Sequence, residues 1–230
     1  MLRLDLLYTS GCSSPHLAKP LSVICNIMTT PRNKESFEDF CNDKIEGFSN
    51  YLNTVNEYRK NQFRIKNNFT EEELKLLEKH FEIAIILAIS NLDNIVILKN
   101  LHNSRKNWEI NFFVKKMFLN IYETLKSLDA NSKLIIQNMC IDEVSKKEYF
   151  DLNRNIKTFK KLYGYDSEMN KIRNITAGHI HNKNFDLYFS TLAELNPHKS
   201  IEMGIEFMSI NASFGQFLQK NLQQNIKTKK

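Results

Sequence analysis

The sequence contains few residues that interrupt helices. Its 230 residues include only 6 glycines and 4 prolines, and three of the prolines fall within the first 34 residues. Helices tolerate both residue types poorly, whereas tight turns need them. Together with long stretches of helical periodicity, this scarcity favours an all-helical protein over a fold with many turns.

Patterns that indicate metal or disulfide chemistry are missing. The four cysteines form no Cys-x-x-Cys pair and show no ligand spacing with the six histidines. His179 and His181 form a His-x-His pair, but no Asp, Glu or Cys accompanies it at ligand spacing, which favours an exposed loop over a metal site. We therefore expect no metal, no cofactor, and free thiols in a reducing cytoplasm.

Long hydrophobic runs are also missing. A secretory signal needs an uninterrupted apolar core of at least ~7 residues. Residues 2–8 are interrupted by Arg3 and Asp5, and residues 21–28 are interrupted as well. No run approaches the ~18 apolar residues of a membrane span. The expected location is the cytoplasm, without a membrane partner.

The first 34 residues differ in composition from the rest. They hold most of the prolines and a cluster of Ser, Gly and Cys, without a sustained period, so residues 1–34 are expected to be irregular or disordered. The residues that follow Met28 resemble a natural protein start, and we expect translation to begin there, after residues 1–27. Residues 35–222 are expected to form a single helical domain, and residues 223–230 a frayed basic tail.

Helical periodicity dominates the rest of the chain. Apolar residues at 3/4 spacing predict a long helix over residues 36–65. Thr70 and Glu73 have the spacing of a capping box, which predicts the start of a second helix. Every residue between Ile83 and Ile89 is apolar, which predicts that this second helix lies at the centre of the protein, buried on most sides.

Further helices are expected in the C-terminal two thirds. A third helix is predicted over residues 108–128, ended by the polar residues 129–132. Asp166 or Ser167 is expected to cap a helix that carries Arg173. The fold class is therefore all-α, an up-and-down helical bundle. The remaining predicted helices span residues 133–149, 153–163, 185–195 and 197–222, the last with Pro197 near its first turn.

The charge balance favours an anionic partner. The formal net charge is +6 and the isoelectric point is about 9.0. Basic and aromatic residues alternate shortly before Arg173, in an arrangement that suits single-stranded RNA. In the alternative interpretation the aromatic rings belong to the core and the lysines face solvent. The candidate RNA-binding residues are Lys157, Lys160, Lys161 and Tyr163.

The most specific chemical signal is the stretch of residues 172–182. It contains Arg173, Asn174 and His179, with Gly178 directly before the histidine. A guanidinium matches phosphate in a bidentate fork. An imidazole is the side chain best able to move a proton near neutral pH. These residue types together suit the cleavage of a phosphodiester without a metal.

In an all-helical chain, this pattern resembles the HEPN superfamily. These small helical proteins belong to prokaryotic defence and toxin–antitoxin systems, and many are ribonucleases. Their motif is an Arg, often followed by a polar residue, with a His after about four to six intervening residues. Arg173, Asn174 and His179 match it, with five residues between Arg and His. The architectural resemblance covers residues 70–218.

The resemblance implies a function and an assembly. It implies metal-independent cleavage of RNA by a homodimer that brings both motifs into one cleft, and an antitoxin or defence-system partner protein. His179 would accept the proton of the ribose 2′-OH or protonate the leaving 5′-oxygen. Arg173 would hold the scissile phosphate, and Asn174 would orient the phosphate or the histidine.

Helix geometry limits how Arg173 and His179 can meet. On a continuous α-helix the six positions between them correspond to a rotation of about 600°, so the two side chains would not share a face. Either Gly178 ends the helix in the left-handed conformation and turns His179 back, or two copies of the chain complete one site. Glu123, on the preceding predicted helix, is a candidate ion-pair partner for Arg173.

Two other classes of function stay open. The first is a catalytically inactive HEPN-like helical module that binds RNA or a protein. The second is an unrelated helical interaction protein in which the motif is a coincidence. In both, Arg173 is an ordinary solvated or salt-bridged residue, and His179 interacts favourably with the dipole at the end of a helix.

Overall fold

A computed structural model describes residues 34–61, 70–140, 142–177 and 185–227. All regular secondary structure within these ranges is helical, which confirms the predicted all-α bundle. The start predicted at Met28 lies outside the described residues. Seven α-helices are present in the described ranges: α1 (Lys34–Asn61), α2 (Glu71–Asn103), α3 (Asn107–Leu134), α4 (Glu143–Leu162), α5 (Asn170–Ile172), α6 (Phe185–Ala193) and α7 (Pro197–Lys227).

Helix α2 begins at the predicted capping box and lies at the centre of the bundle. The Thr70 hydroxyl accepts a hydrogen bond from the Glu73 amide at 3.3 Å, and the Glu73 carboxylate accepts one from the Thr70 amide at 2.8 Å. The helix packs against α1, α3 and α7. The central position predicted from its apolar run is thus confirmed. Its buried apolar residues are Ile83, Leu87, Ala88, Ile95, Ile97, Leu98 and Leu101.

Within the described ranges, α2 is also the one helix long and apolar enough to cross a membrane. Half of its most apolar 18-residue window is buried inside the protein. One such helix is weak evidence for a membrane span, because the core helix of a soluble protein meets the same criterion. Packing against three neighbouring helices accounts for the buried half of this window, whereas Ile89 and Val96 are 43% and 38% exposed.

Helix α3 buries one stripe and exposes the opposite one. Val114, Met117, Ile121 and Leu125 are fully buried. Their 3/4 spacing places them on one face of α3, which packs against α2 and α7. Trp108, near the start of the same helix, is 59% exposed. A single helix therefore contributes to the core on one side and to the surface on the other.

Helix α7 approaches α3 closely at Gly204. A Cβ atom at this position would lie 2.7 Å from the sulfur of Met117 and 3.5 Å from a methyl carbon of Leu98. Both neighbours belong to the buried core. The absence of a side chain at Gly204 therefore sets the distance between α7 and the α2–α3 pair.

A layer of polar side chains crosses the core between α2, α3 and α7. The hydroxyl oxygens of Ser90 and Thr124 lie 2.8 Å apart, and the Asn211 side-chain amide donates to Ser90 Oγ and Asn91 Oδ1, each at 3.3 Å. The Asn120 side chain donates to the Ser90 carbonyl at 2.9 Å. Because buried polar groups are costly without partners, these bonds favour one register of the three helices.

The predicted end of the third helix at residues 129–132 is wrong. Helix α3 continues to Leu134 and then passes into a π-helical turn, Ile135–Met139. Polar residues are tolerated here because Asp129 pairs with Lys160 of α4 and Asn131 bonds within α3. The Asn131 side chain donates to the Ser127 carbonyl one turn earlier, at 2.8 Å.

The break falls instead at Asp142, which opens α4. The Asp142 carboxylate accepts from the Ser145 amide at 2.7 Å, and the Ser145 hydroxyl lies 3.1 Å from the Asp142 amide. The hydrogen bonds from Ser145 hold the pKa of Asp142 below its ordinary value. The prediction of two separate helices, over residues 133–149 and 153–163, is therefore wrong. Residues 143–162 form one helix, α4.

The last two helices match the predicted pair. Helices α6 and α7 begin at Phe185 and Pro197 as expected, with the proline at the first helical position. Helix α7 extends to Lys227, so the backbone of residues 223–227 is helical, although a frayed tail was expected from residue 223 onward. Residues 228–230 lie outside the described part of the chain.

Two glycines of α7 provide a matched test of the helix packing. We expect Gly215→Ala, whose Cβ would meet nothing within 4 Å, to raise the free energy of unfolding by up to about 1 kcal/mol, because alanine favours helix. Gly204→Ala gains the same propensity but displaces Met117, so it should be about 1–3 kcal/mol less stable than Gly215→Ala. Urea denaturation followed by circular dichroism measures both. Equal stabilities would contradict the close approach at Gly204.

Candidate functional site

The Arg173 motif lies on a helical segment that begins after a glycine turn. Gly164 has φ 61° and ψ 49°, a left-handed conformation that glycine adopts without strain. It separates α4 from residues 165–177, which we call the motif segment. Gly164 itself is the cap position, so the prediction that Asp166 or Ser167 caps this helix is wrong. The Ser167 hydroxyl lies 3.4 Å from the Gly164 carbonyl oxygen.

The motif segment combines α- and π-helical turns. The π turns Tyr165–Met169 and Arg173–Ala177 flank the short helix α5. Met169 and Ile172 are buried, and the segment packs against α3. Such i→i+5 turns are rare and occur often at functional sites. Because Arg173 stands on a π turn, the rotation calculated for a continuous α-helix does not apply to the start of the motif.

The histidine of the motif lies outside the described residues. Gly178, His179 and His181 all fall between the described ranges that end at residue 177 and resume at residue 185. The two predicted ways of bringing His179 to Arg173 therefore stay predictions. Among the described residues, no group of three or more His, Cys, Asp or Glu side chains could hold a metal ion.

Arg173 is held at the surface by three neighbours. Its Nε atom donates to Glu123 Oε1 at 2.8 Å, and its Nη1 atom donates to Asn174 Oδ1 at 3.0 Å. Its Cζ atom lies 5.4 Å from the centre of the Tyr122 ring, within the range of a cation–π contact. The predicted pairing with Glu123 is confirmed. The Arg173 and Glu123 side chains are 36% and 45% exposed, so the ion pair remains open to solvent.

A second set of contacts supports this arrangement. Asn170 Oδ1 accepts from the Asn174 side chain at 2.9 Å and from the Tyr122 hydroxyl at 3.4 Å. The rings of Tyr122 and Tyr165 are stacked, with centroids 4.8 Å apart and planes 15° from parallel. The sequence-based reasoning missed Asn170 and Tyr122. Their only local signals were the four-residue spacing between the two asparagines and the position of Tyr122 beside Glu123.

The basic–aromatic stretch before the motif divides into core and surface. Tyr163 is buried, and its hydroxyl donates to Glu206 at 2.9 Å. Burial, with this hydrogen bond, raises its pKa well above the ordinary value. Its ring is therefore not open to a base, in agreement with the alternative in which the rings belong to the core. Lys157 and Lys161 are exposed, whereas Lys160 forms an ion pair with Asp129.

Lys160 links this stretch to the site around Arg173. Its ammonium nitrogen lies 4.5 Å from the centre of the Tyr165 ring, which stacks on Tyr122. The chain of contacts thus runs from Lys160 through two rings to the guanidinium of Arg173. Of the residues predicted to bind RNA, Lys160 is the one that the described contacts connect to the motif.

The arrangement suits recognition of an anion such as phosphate. A guanidinium carries five N–H donors, and the bonds to Glu123 and Asn174 use the Nε and Nη1 atoms. Among the described residues, these bonds leave the Nη2 atom and one Nη1 hydrogen for a phosphate. Glu123 fixes the orientation of the guanidinium and also offsets part of its charge, which limits its attraction for an anion.

The exposure of the Arg173–Glu123 pair predicts a small effect on stability. A double-mutant cycle with Arg173→Ala and Glu123→Ala should give a coupling energy below about 1 kcal/mol, the usual range for exposed ion pairs. Urea denaturation of the wild type, both single variants and the double variant measures it. A coupling of several kcal/mol would mean that the pair is primarily structural, and it would undermine a functional assignment.

Comparisons of the chain with protein-family models, with curated proteins and with solved structures find no match. The chain is therefore assigned to no family, and the arguments about its function rest on its own residues and their geometry.

Proposed function

We propose that the protein is a metal-independent endoribonuclease of a prokaryotic defence or toxin–antitoxin type. The observation that carries the proposal is the placement of Arg173. Its side chain is 36% exposed to solvent, yet its guanidinium is oriented by Glu123, Asn174 and Tyr122. A cation that is oriented before the substrate arrives loses little entropy on binding a phosphate, and such preorganisation is what transition-state stabilisation requires.

The proposed reaction uses the ribose itself as the nucleophile. His179 accepts the proton of the 2′-OH, whose oxygen attacks the adjacent phosphorus and displaces the 5′-oxygen of the next nucleotide, which takes up a proton. Arg173 stabilises the charge that builds on the phosphate oxygens. The products carry a 2′,3′-cyclic phosphate and a 5′-hydroxyl. The role of His179 rests on the sequence pattern, because the residue lies outside the described ranges.

Asn174 has a positioning role in this scheme. Its side chain accepts from Arg173 and donates to Asn170, which in turn accepts from Tyr122. These bonds orient the asparagine amide toward the guanidinium. Asn174 thereby holds Arg173 in place, which differs from the role in orienting the phosphate or the histidine that the resemblance implies.

The proposal includes a cytoplasmic homodimer and a partner protein. A two-fold dimer that joins two motif segments would bring Arg173 of one copy near His179 of the other, through an isologous interface. An antitoxin or another defence-system protein would restrain the nuclease. The basic net charge of +6 supports RNA as the substrate.

A second candidate is a module that binds RNA without cutting it. The observation that favours it is the ion pair itself, because Glu123 offsets the charge of Arg173. A paired arginine still donates hydrogen bonds to a phosphate, but it stabilises additional negative charge less well. This module would bind RNA with an affinity that falls as salt rises, and it would leave the RNA intact.

Cleavage assays distinguish the two candidates. With EDTA present, the purified protein should cut single-stranded RNA and leave DNA of the same sequence intact, because only RNA carries the 2′-OH. Arg173→Ala and His179→Ala should each lower the rate by about 100-fold or more. His198→Ala and Arg154→Ala, which change exposed residues on α7 and α4, are the matched controls and should cut normally. Cleavage that stops with EDTA, or normal cutting by both motif variants, would exclude the nuclease.

Mixing two inactive variants tests whether the site is shared between two copies. If each site takes Arg173 from one copy and His179 from the other, a mixed dimer of Arg173→Ala and His179→Ala chains retains one complete site. An equimolar mixture, refolded together, should then recover about one quarter of the wild-type rate, because half of the dimers are mixed and each has one site of two. Recovery of no activity, with mixed dimers demonstrated by mass spectrometry, would place Arg173 and His179 in one chain or exclude the shared site.

A further inference from the structure

Exposed aromatic side chains lie at the start of α3 and on α6, two helices that a hydrogen bond from Lys115 to Tyr188 joins. Trp108 and Phe112 on α3 are 59% and 43% exposed, and Phe189 on α6 is 58% exposed. Tyr188 of α6 is half-buried, packs edge-on against Phe189 and accepts a hydrogen bond from Lys115. Large rings at the surface carry a cost in water, and clusters of them mark sites of interaction. We call these residues, together with Lys115, the aromatic platform.

Lysines are interleaved with the rings of the aromatic platform. Lys115 Nζ donates to the Tyr188 hydroxyl at 3.0 Å and lies 5.6 Å from the centre of the Trp108 ring. Lys116 Nζ lies 5.6 Å from the centre of the Phe112 ring. These contacts hold the positive charges at the edges and faces of the rings.

The surroundings of the platform carry more positive than negative charge. Arg105 and Lys106, directly before α3, are exposed. Glu109 on α3 and Asp186 on α6 are the exposed acidic residues next to the platform along these two helices. With Lys115 and Lys116, the basic residues outnumber the acidic ones by four to two. The platform therefore favours an anionic partner with flat apolar groups.

The platform and the Arg173 site lie on the same face of α3. Trp108, Lys115 and Tyr122 are spaced seven residues apart, and seven residues complete almost two turns, so the three side chains form one row. Each step along this row is about 10 Å. Arg173 stacks over Tyr122 at the far end, and α6 packs against the π turn that carries Arg173.

We infer that the aromatic platform binds single-stranded RNA, with bases stacked on Trp108 and Phe112 and the phosphates met by Lys115 and Lys116. This inference rests on the proposed ribonuclease function, and it identifies where the substrate strand is held beside the cleavage site. Unpaired bases offer the ring faces that the platform fits, whereas the bases of a duplex are already stacked. A strand bound along the row from Trp108 to Tyr122 reaches Arg173 at the end of the row.

A second copy of the chain is a less suitable occupant. The cores of protein–protein interfaces are depleted in lysine. Here Lys115 Nζ lies 5.6 Å from the centre of the Trp108 ring and 5.3 Å from that of Tyr188. A two-fold interface centred on the platform would bring two such charges toward each other. A polyanion offsets these charges, whereas a second copy adds to them.

The chain contains one tryptophan, Trp108, which makes its fluorescence a direct reporter of the platform. The probe is a single-stranded 2′-O-methyl RNA of about 12 nucleotides, a length within the range of known single-strand sites. Blocking the 2′-oxygen prevents the proposed cleavage and separates binding from catalysis. We expect saturable quenching of the tryptophan emission, weakened by added salt. Binding of a fluorescein-labelled probe without any change in tryptophan emission would overturn the inference, as would the absence of binding.

Variants test the roles of the rings and the lysine. Trp108→Ala and Phe112→Ala should each weaken binding of the labelled probe, measured by anisotropy, by about 10-fold. Lys115→Gln should weaken binding and reduce the salt slope by about 0.7. Phe150→Ala, which removes a ring 53% exposed on α4, and Lys147→Gln, at an exposed lysine of α4, are the controls. Equal losses in the control variants would overturn the inference.

The outcomes separate this inference from the proposed nuclease. Quenching without cleavage of ordinary RNA supports the platform and argues against the nuclease. Cleavage that persists without quenching, and is unaffected by Trp108→Ala, supports the nuclease and overturns the platform. Tryptophan emission that shifts with protein concentration in the absence of RNA, in parallel with dimer formation in sedimentation, would assign this face to a second copy and overturn the inference.

Discussion

The burial of one stripe of α3 between α2 and α7 is the interaction on which the rest of the structure depends. Val114, Met117, Ile121 and Leu125 fix the rotation of α3 about its axis, because a turn of even one residue would expose them to water. The orientation of the rest of the α3 surface is then fixed as well. It presents Tyr122 and Glu123 to the motif segment at a fixed angle, so the geometry of the surface is set inside the core.

Most of the contacts that orient Arg173 come from outside its own segment. Its orientation depends on Glu123 and Tyr122, which belong to α3, and only Asn174 is a neighbour in sequence. Exposed ion pairs add little to stability. The contact with Glu123 therefore orients the guanidinium of Arg173 more than it stabilises the fold. The position of the guanidinium therefore depends on the packing of α3.

Local signals predicted much of the fold but little of the site. The start of α2 followed from Thr70 and Glu73, whose capping bonds join residues close in sequence. The start of α4 was missed because a serine, Ser145, takes the place that glutamate or glutamine usually holds in a capping box. The stacking of Tyr122 on Tyr165 depends on π turns and a glycine turn, for which the sequence offers no pattern, so this contact could not be predicted.

The polar layer in the core has a consequence for how the chain acquires its structure. Ser90 and Asn91 of α2 both accept hydrogen bonds from the side chain of Asn211. The ribosome adds Asn211 about 120 residues after them. Until α7 arrives, the paired helices α2 and α3 expose an apolar groove with polar groups in its floor. Contacts so distant in sequence close slowly and leave such surfaces open to other chains. A growing chain on the ribosome therefore remains incomplete, and dependent on protection from aggregation, until its last long helix has emerged.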